Sequence, residues 1–244
     1  MTGVPPSLWN HGDVSDRCLV VIPALNEEAS VAGVVGSVRE VLPSAHVVVV
    51  DDGSSDKTAD VARAAGADVI SLPFNVGVGG ALRAGFRYAR RFGYERVVQV
   101  DGDGQHNPAH IPELLDGLVD ADVVIGARFA GVGDYEVRGP RRLAMRLLAR
   151  SLSRRTGQRL TDTTSGFRAF NRKAVELFAV DYPAEYLGDT VEALVIAARA
   201  GLRVTQIPVE MRPRTTGAPS QHWLKSTVYL GRVFLALAMS RLRR

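Results

Sequence analysis

The chain has 244 residues, of which 46% are hydrophobic and 23% are charged, and its formal net charge is +4. This composition is that of a globular protein with one well-buried core and excludes a disordered or fibrous chain. Its one cysteine, Cys18, excludes an internal disulfide and fits a reducing compartment, where it is expected to be a small core residue.

Residues 1–17 are predicted to form a loose tail, because Gly3, Pro5, Pro6 and Gly12 interrupt any regular pattern. They also lack the charged-then-apolar order of a secretion signal. Residues 18–219 carry no linker and no internal repeat, which predicts a single domain. Residues 220–244 are predicted to form a separate amphipathic helix.

Strands and helices alternate through the first half of the domain. Strands are predicted from residue 18 to the turn at 24–28, from residue 46 to the acids at 51 and 52, and at 68–72, 97–100 and 123–125. Helices are predicted at 31–41, at 58–65, after a glycine-rich turn up to about Gly93, and at 108–118. This alternation predicts an α/β fold, Rossmann-like, in which a mostly parallel central sheet lies between two layers of helices.

The second half is less regular. Residues 139–157 are a helix candidate, and residues 161–170 are predicted to be extended or looped. A helix at 189–200, a strand at 203–209 and a final helix at 220–242 complete the prediction.

Two acidic residues follow the fourth strand directly. Residues 97–100, Val-Val-Gln-Val, are mostly apolar and β-branched, and they run into Asp101 and Asp103. Gly102 and Gly104 allow a sharp backbone turn at this point. The two carboxylates are therefore placed at the carboxyl end of a central strand, where open α/β sheets bind their ligands.

The oxygen atoms of Asp101, Asp103 and Gln105 are hard ligands suited to Mg²⁺ or Mn²⁺. The remaining coordination positions would be left for water and a diphosphate. The alternative is that these are solvated turn residues, since Asp and Gly are common in turns.

Acidic or amide side chains also follow the first two strands. Asn26, Glu27 and Glu28 follow the first, and Asp51 and Asp52 end the second. Such side chains can bind ribose hydroxyls or a base edge. Alternatively, they cap the following helices, as is predicted for Asp56 or Ser55.

The glycine-rich stretch from Asn75 to Ala81, which includes Gly77, superficially resembles a dinucleotide fingerprint. It follows the third strand, however, and Leu82 occupies the third glycine position. The first strand-to-helix turn contains no glycine. A nicotinamide enzyme is therefore excluded, and a nucleotide-facing turn is favoured.

Four motifs in this order and spacing resemble those of glycosyltransferase family 2. They are Pro23-Ala-Leu-Asn-Glu27, Asp51-Asp-Gly-Ser-Ser-Asp56, Asp101-Gly-Asp-Gly-Gln105 and Asp162-Thr-Thr-Ser-Gly-Phe-Arg168. The set is most similar to the dolichol- and polyprenyl-phosphate hexose synthase branch. The resemblance implies a GT-A fold, a GDP- or UDP-sugar donor, a divalent metal and an inverting transfer.

The resemblance also implies roles for individual residues. The metal would bind Asp101, Asp103 and Gln105, and the catalytic set would be Asp101, Asp103, Arg128 and Asp189. The acceptor would meet Ser165, Arg168 and Arg212. The nucleotide sugar would meet Pro23, Ala24, Leu25, Asn26, Glu27, Asp51, Asp52, Asn75, Gly77, Gly102, Arg128 and Arg214.

The acceptor decides whether a general base is needed. A lipid monophosphate is largely a dianion at neutral pH and can attack directly, because its second pKa is near 6. A sugar hydroxyl needs a carboxylate to remove its proton. Asp189 or Glu192 could serve in that case, or both could be helix-start acids favoured by the helix dipole.

Two segments could contact a membrane surface. One is a stripe of arginines at every fourth residue, flanked by leucines: Arg138, Arg142, Arg146, Arg150 and Arg154. The alternative for this stripe is a solvated basic face. The other is the final helix, whose apolar run is interrupted by Arg232 and is shorter than the ~20 residues of a membrane span.

The sequence thus predicts a cytoplasmic transferase, peripheral at the inner membrane face, that moves a hexose to polyprenyl phosphate. The alternatives are transfer to a glycan or small-molecule hydroxyl, and a non-catalytic nucleotide-sugar-binding scaffold. A membrane-protein partner or a homo-oligomer is compatible with the final helix. Nucleic acid is excluded as a partner, since only 7% of the residues are aromatic and no stacking motif accompanies the arginines.

Overall fold

The computed structural model describes residues 17–128, 160–183 and 189–212, together with residues 153 and 158. Apart from Ser153, the predicted helix at 139–157 and its arginine stripe lie outside these residues, as do the amino-terminal tail and the final helix. Among the helices in the described part of the chain, none is long and apolar enough to cross a bilayer.

A seven-stranded sheet forms the centre of the domain, in the order β3-β2-β1-β4-β6-β5-β7. Its strands are β1 (Cys18–Ala24), β2 (His46–Asp51), β3 (Asp68–Ser71), β4 (Arg96–Gln99), β5 (Val123–Ala127), β6 (Arg168–Asn171) and β7 (Val204–Pro208). Every pairing is parallel except those of β6, which runs antiparallel to both β4 and β5. The mostly parallel sheet predicted from the sequence is confirmed.

Six α-helices flank the sheet within the described residues. They are α1 (Val31–Val41), α2 (Thr58–Ala64), α3 (Val78–Arg91), α4 (Ile111–Asp116), α5 (Arg172–Asp181) and α6 (Asp189–Arg199). The predicted helix at 108–118 is broken into α4 with a short 3-10 turn on each side, Pro108–His110 and Gly117–Val119. Asn107 caps the first of these turns by accepting a hydrogen bond from the Ala109 backbone N–H.

The helices cover both faces of the sheet, because alternate side chains of each buried strand point to opposite sides. Along β1, Leu19 and Val21 pack with α3, α5 and α6. Cys18, Val20 and Ile22 pack with α1, α2 and α4. The predicted α/β/α sandwich is confirmed, and so is the core position of Cys18, whose burial raises the pKa of its thiol to about 12.

The sequence interpretation missed both β6 and α5. The segment containing β6 was predicted to be extended or looped, and no helix was predicted for Arg172–Asp181. The four strand residues are too few to show an alternating pattern. The last of them, Asn171, is also the N-cap of α5, where its side chain accepts from the Ala174 backbone N–H.

The direction of β6 places the loop before it beside the acids that follow β4. Gln99, the last residue of β4, pairs with Arg168, the first residue of β6. Because the two strands are antiparallel, the beginning of β6 lies at the same edge of the sheet as the end of β4. Residues that precede β6 therefore meet those that follow β4.

Candidate functional site

The acidic turn after β4 lies at the carboxyl edge of the sheet, as predicted. Strand β4 ends at Gln99, so Asp101 and Asp103 belong to the turn itself, in which Gly104 has a φ of +76°. The Asp103 Oδ1 atom accepts a hydrogen bond of 3.0 Å from the Gln105 backbone N–H. Both acids are half-buried, which leaves their carboxylates partly accessible to a ligand.

The Asp101 carboxylate has a polar side chain on each side. The Gln99 Nε2 atom donates to Asp101 Oδ1 at 3.2 Å, and the His106 Nε2 atom lies 3.5 Å from Oδ2. A Cβ atom added at Gly166 would lie 2.8 Å from Oδ2 and 2.9 Å from Oδ1. The loop before β6 therefore supports the Asp101 carboxylate, and only glycine leaves room for it.

The residues of this turn fit a hard divalent cation. They supply two carboxylates and the Gln105 amide, all oxygen ligands of the kind that Mg²⁺ and Mn²⁺ prefer. The described residues contain no group of three or more His, Cys, Asp or Glu side chains placed to hold a metal. A site with two carboxylates is what such cations use when substrate phosphates complete their coordination.

A second group of acids surrounds the ends of β1 and β2. Asp51 Oδ1 accepts from the Ser54 backbone N–H at 3.1 Å, and Asp52 Oδ1 accepts from the Val76 backbone N–H at 2.8 Å. Burial raises the pKa of Asp52, although the backbone N–H groups of Val76 and Gly77 oppose that rise. Asp52 thus holds the glycine-rich turn of residues 75–77 against the end of β2.

The turn after β1 is tied to the turn after β2. Asn26 has a φ of +54°, its backbone N–H donates to Ser54 Oγ, and its Oδ1 accepts from the Ser55 backbone N–H. The Glu27 backbone N–H donates to Thr58 Oγ1 at 2.8 Å. Pro23 and Ala24 are buried beneath this turn, whereas Leu25 is 38% exposed. These contacts gather the predicted nucleotide residues at one edge of the sheet.

Gly53 allows the close approach on which this arrangement depends. Its φ is +74°, and an added Cβ would lie 2.7 Å from the Phe74 carbonyl carbon and 2.8 Å from the Asn75 nitrogen. Gly93 is a matched control, because its φ is +72° but nothing lies within 4 Å of an added Cβ.

We expect Gly93→Ala to lose about 1 kcal/mol of unfolding free energy from the positive φ alone. Gly53→Ala should lose a further 1–3 kcal/mol, roughly, from overpacking against the backbone. Urea denaturation of the two variants measures the difference. Equal losses would show that the contact between the two turns is not tight.

Arg128, at the end of β5, forms a two-pronged ion pair with a buried carboxylate. Its Nε donates to Asp162 Oδ2 at 2.7 Å and its Nη2 to Asp162 Oδ1 at 3.1 Å. The Arg128 side chain is 24% exposed, whereas that of Asp162 is fully buried. The pair fixes the loop before β6 to the end of β5 and leaves the Arg128 side chain partly exposed.

The Asp162 carboxylate should contribute to stability in a pH-dependent way. Burial on its own raises the pKa of Asp162, but hydrogen bonds and charge from Arg128 outweigh it and leave the pKa below the usual 3.8. A carboxyl group whose pKa is lowered by folding stabilises the protein above its unfolded pKa, and this contribution is lost as pH falls through the folded value.

We therefore expect Asp162→Asn to be clearly less stable than the wild type at pH 7, with a difference that shrinks below about pH 4. Thermal denaturation between pH 7 and pH 3 measures this. Asp120→Asn, at an exposed position, is the control. A difference that stays constant over the whole pH range would contradict the ion pair.

The predicted direct contact between Arg168 and the acceptor is not supported by its position. Arg168 is completely buried, and its guanidinium donates to the backbone carbonyls of Ser165, Thr190 and Thr163 at 2.8, 2.9 and 3.0 Å. It therefore joins the loop before β6 to the start of α6. Sequence alone cannot distinguish an arginine that binds phosphate from one that binds backbone carbonyls, and the contacts of Arg168 favour the second role.

The other predicted acceptor residues differ in exposure. Ser165 is buried, and its Oγ accepts from the Phe167 backbone N–H at 3.2 Å. Arg212 is exposed, its backbone N–H donates to the Gln105 carbonyl at 2.8 Å, and its Nη2 donates to Asn107 Oδ1 at 2.9 Å. Asp189 begins α6, but its side chain lies outside the described residues, as does all of Arg214.

The structure adds residues to which the sequence analysis gave no role. His106 and Gln99 both face the Asp101 carboxylate, and Asp162 pairs with Arg128. His106 directly follows the predicted ligand Gln105, and this position in the sequence was a signal that it belongs to the site. No local pattern shows that Asp162 meets Arg128, because the two residues lie 34 positions apart.

The chain is similar to known proteins of one family. The family "Glycosyl transferase family 2" matches residues 19–178. Undecaprenyl-phosphate mannosyltransferase of Micrococcus luteus is 36% identical over 211 residues, which cover 82% of this chain and 86% of that protein. Polyprenol monophosphomannose synthase of Mycolicibacterium smegmatis is 34% identical over 214 residues, which cover 83% of this chain and 80% of that protein.

A solved structure has the same arrangement of elements. It is glucosyl-3-phosphoglycerate synthase of Mycobacterium tuberculosis in complex with Mn²⁺, uridine diphosphate and phosphoglyceric acid. The TM-score is 0.67 with 25% sequence identity, and the match covers 92% of this chain and 78% of that one.

Proposed function

The chain belongs to glycosyltransferase family 2, and from this membership we propose that it transfers a hexose from a nucleoside-diphosphate sugar to a polyprenyl phosphate at a membrane surface. The sheet, with its two helical layers, is the GT-A fold that the sequence predicts. The acceptor proposal is supported by the relatives from Micrococcus luteus and Mycolicibacterium smegmatis, whose names both specify a polyprenol-type lipid phosphate.

The observation that carries the proposal is the meeting of two acidic groups at one edge of the sheet. Asp51 ends β2 and Asp52 follows it, Asp101 and Asp103 follow β4, and β1 lies between these two strands. We assign the first group, with residues 23–27 and the turn at Asn75 and Gly77, to the nucleoside. We assign the second to the diphosphate side, with Gly102 allowing the backbone to pass close to β1.

Asp101, Asp103 and Gln105 would hold Mg²⁺ or Mn²⁺, as Mn²⁺ accompanies uridine diphosphate in the structural relative. A cation bound there would neutralise negative charge on the departing diphosphate. Arg128 adds a fixed positive charge at the same edge, oriented by its pair with Asp162. Arg212 and the loop containing Ser165 are assigned to the acceptor side, since both adjoin the acidic turn.

An acceptor phosphate oxygen would attack the sugar C1 from the face opposite the leaving diphosphate, so that the configuration at C1 is inverted. The bond between C1 and the diphosphate oxygen breaks, and the product is a sugar joined to lipid phosphate. A phosphate dianion needs no proton removed, and the proposal therefore requires no general base.

A hydroxyl acceptor is the second candidate, and the structural relative favours it. That protein was solved with phosphoglyceric acid, a small hydroxy acid rather than a lipid. In this case a base is required, and Asp189 at the start of α6 is the candidate.

A donor and acceptor panel distinguishes the two. GDP-mannose, UDP-glucose and UDP-N-acetylglucosamine are each incubated with Mg²⁺ or Mn²⁺ and either polyprenyl phosphate in vesicles or phosphoglycerate. We expect radiolabelled sugar in the lipid fraction from one donor. Transfer to phosphoglycerate alone would overturn the lipid acceptor, and donor binding with neither transfer nor hydrolysis would favour the non-catalytic scaffold.

A further inference from the structure

His106 is buried at the centre of the acidic turn, next to the residues proposed to hold the cation. Only 4% of it is exposed. Its imidazole ring stacks on the Phe167 ring, with centroids 4.9 Å apart and an angle of 15° between the planes. Its backbone forms an isolated antiparallel bridge with Met211, beyond β7. His106 therefore contacts two segments that are distant from it in the chain.

Both ring nitrogens of His106 face the same residue, Asp101. The Asp101 backbone N–H donates to Nδ1 at 3.0 Å, so Nδ1 is the acceptor and carries no hydrogen. In the neutral ring the hydrogen is then on Nε2, which lies 3.5 Å from the Asp101 Oδ2 atom. The backbone contact thus selects the tautomer that carries its hydrogen on Nε2, the nitrogen next to the carboxylate. At 3.5 Å the two groups are in close contact but do not form a hydrogen bond.

The carboxylate of Asp101 consequently has a polar neighbour at each oxygen. Gln99 Nε2 donates to Oδ1, His106 Nε2 lies 3.5 Å from Oδ2, and Gly166 lies so close that an added Cβ would be 2.8 Å from Oδ2. This arrangement limits rotation of the carboxylate before any ligand arrives. A ligand that is already oriented loses less freedom on binding a cation, which raises the affinity.

We propose that His106 is a positioning residue that orients the Asp101 carboxylate for a divalent cation through its Nε2–H group. His106 does not itself bind the cation in this proposal, because its Nδ1 accepts the Asp101 backbone N–H and its Nε2 carries the hydrogen. The proposal rests on the proposed function only in assigning a cation to Asp101, Asp103 and Gln105.

Three substitutions separate the contributions of Nδ1, of Nε2 and of the stacked ring of His106. In His106→Asn, the amide can replace Nδ1 and accept the Asp101 backbone N–H, but nothing reaches the carboxylate. In His106→Gln, the longer amide can donate from the Nε2 position. In His106→Phe, the stack on Phe167 is kept and both polar contacts are lost. His110→Asn is the control, since His110 contacts Glu113 and the Glu210 backbone rather than Asp101.

The measurement is the Kd for Mn²⁺, from the electron paramagnetic resonance signal of free Mn²⁺, with GDP and in a parallel series with UDP. We expect the Kd to rise about tenfold or more in His106→Asn and His106→Phe, the usual effect of removing an outer-shell partner. His106→Gln should stay within about threefold of the wild type. His110→Asn should match the wild type.

If His106 serves only packing, His106→Phe would bind Mn²⁺ like the wild type while both amide variants lose thermal stability, and the proposal would be wrong. Unchanged Kd in all variants would overturn it and leave the proposed function standing. A folded wild-type protein that does not bind Mn²⁺ with either nucleotide would overturn the cation assignment and this inference together.

Discussion

Asp103→Ala is expected to reduce sugar transfer by about a thousandfold or more, because the diphosphate side of the site loses an anionic ligand. Asp103 lies in a turn and is half-buried, and it accepts a hydrogen bond from the Gln105 backbone N–H. The fold should therefore change little, with a loss of unfolding free energy of about 1 kcal/mol. Radiolabelled transfer and thermal denaturation measure the two effects.

Asp120→Ala is the matched control for Asp103→Ala, since Asp120 is an exposed acid outside the site. It should retain wild-type transfer. Removal of divalent metal with a chelator should reproduce the loss in the wild-type protein, and added Mg²⁺ or Mn²⁺ should restore transfer there but not in Asp103→Ala. Wild-type rates in metal-free buffer would disprove the metal assignment.

Arg168→Met is expected to destabilise the protein strongly. It removes the donor to three backbone carbonyls, and each buried acceptor left unsatisfied costs about 1–3 kcal/mol. Because the surrounding structure can relax in part, we expect the free energy of unfolding to fall by about 3 kcal/mol or more. For a chain of this size, that lowers the Tm by roughly 6–12 °C. Thermal denaturation measures the shift.

Arg172→Met is the matched control. Arg172 begins α5, and its ion pair with Glu95 is exposed, so its loss should cost less than about 1 kcal/mol. Comparing the two variants also tests whether Arg168 acts by donating to the backbone carbonyls. If Arg168 bound the acceptor phosphate, Arg168→Met would keep the wild-type Tm and raise the KM for the lipid acceptor instead.

The first half of the fold could be read from the sequence because its signals are local. The buried runs in β1 and β2 are continuous and β-branched, and α1 begins and ends at the residues predicted. Asp101 and Asp103 could be placed at the carboxyl edge for the same reason, since they follow a buried strand directly. The metal ligands Asp101, Asp103 and Gln105 could be predicted from their position after this strand and from the preference of hard divalent cations for oxygen ligands.

Strand β6 could not be predicted, because its identity depends on its neighbours. Its four residues show no periodic pattern, and its antiparallel insertion between β4 and β5 is a property of the whole sheet. That insertion brings Gly166 against the Asp101 carboxylate and Phe167 against His106. The family motif gave the residues of this loop, and only the sheet topology shows what they contact.

What the sequence determined by itself was therefore the α/β alternation, the acidic strand ends and the family, all of which are carried by neighbouring residues. The tertiary structure decided the roles of single side chains. In the structure Arg168 donates to backbone carbonyls and Arg128 pairs with Asp162. Both ring nitrogens of His106 lie next to Asp101. Burial and hydrogen-bond partners are set by residues distant in the chain, and so no local pattern could assign these roles.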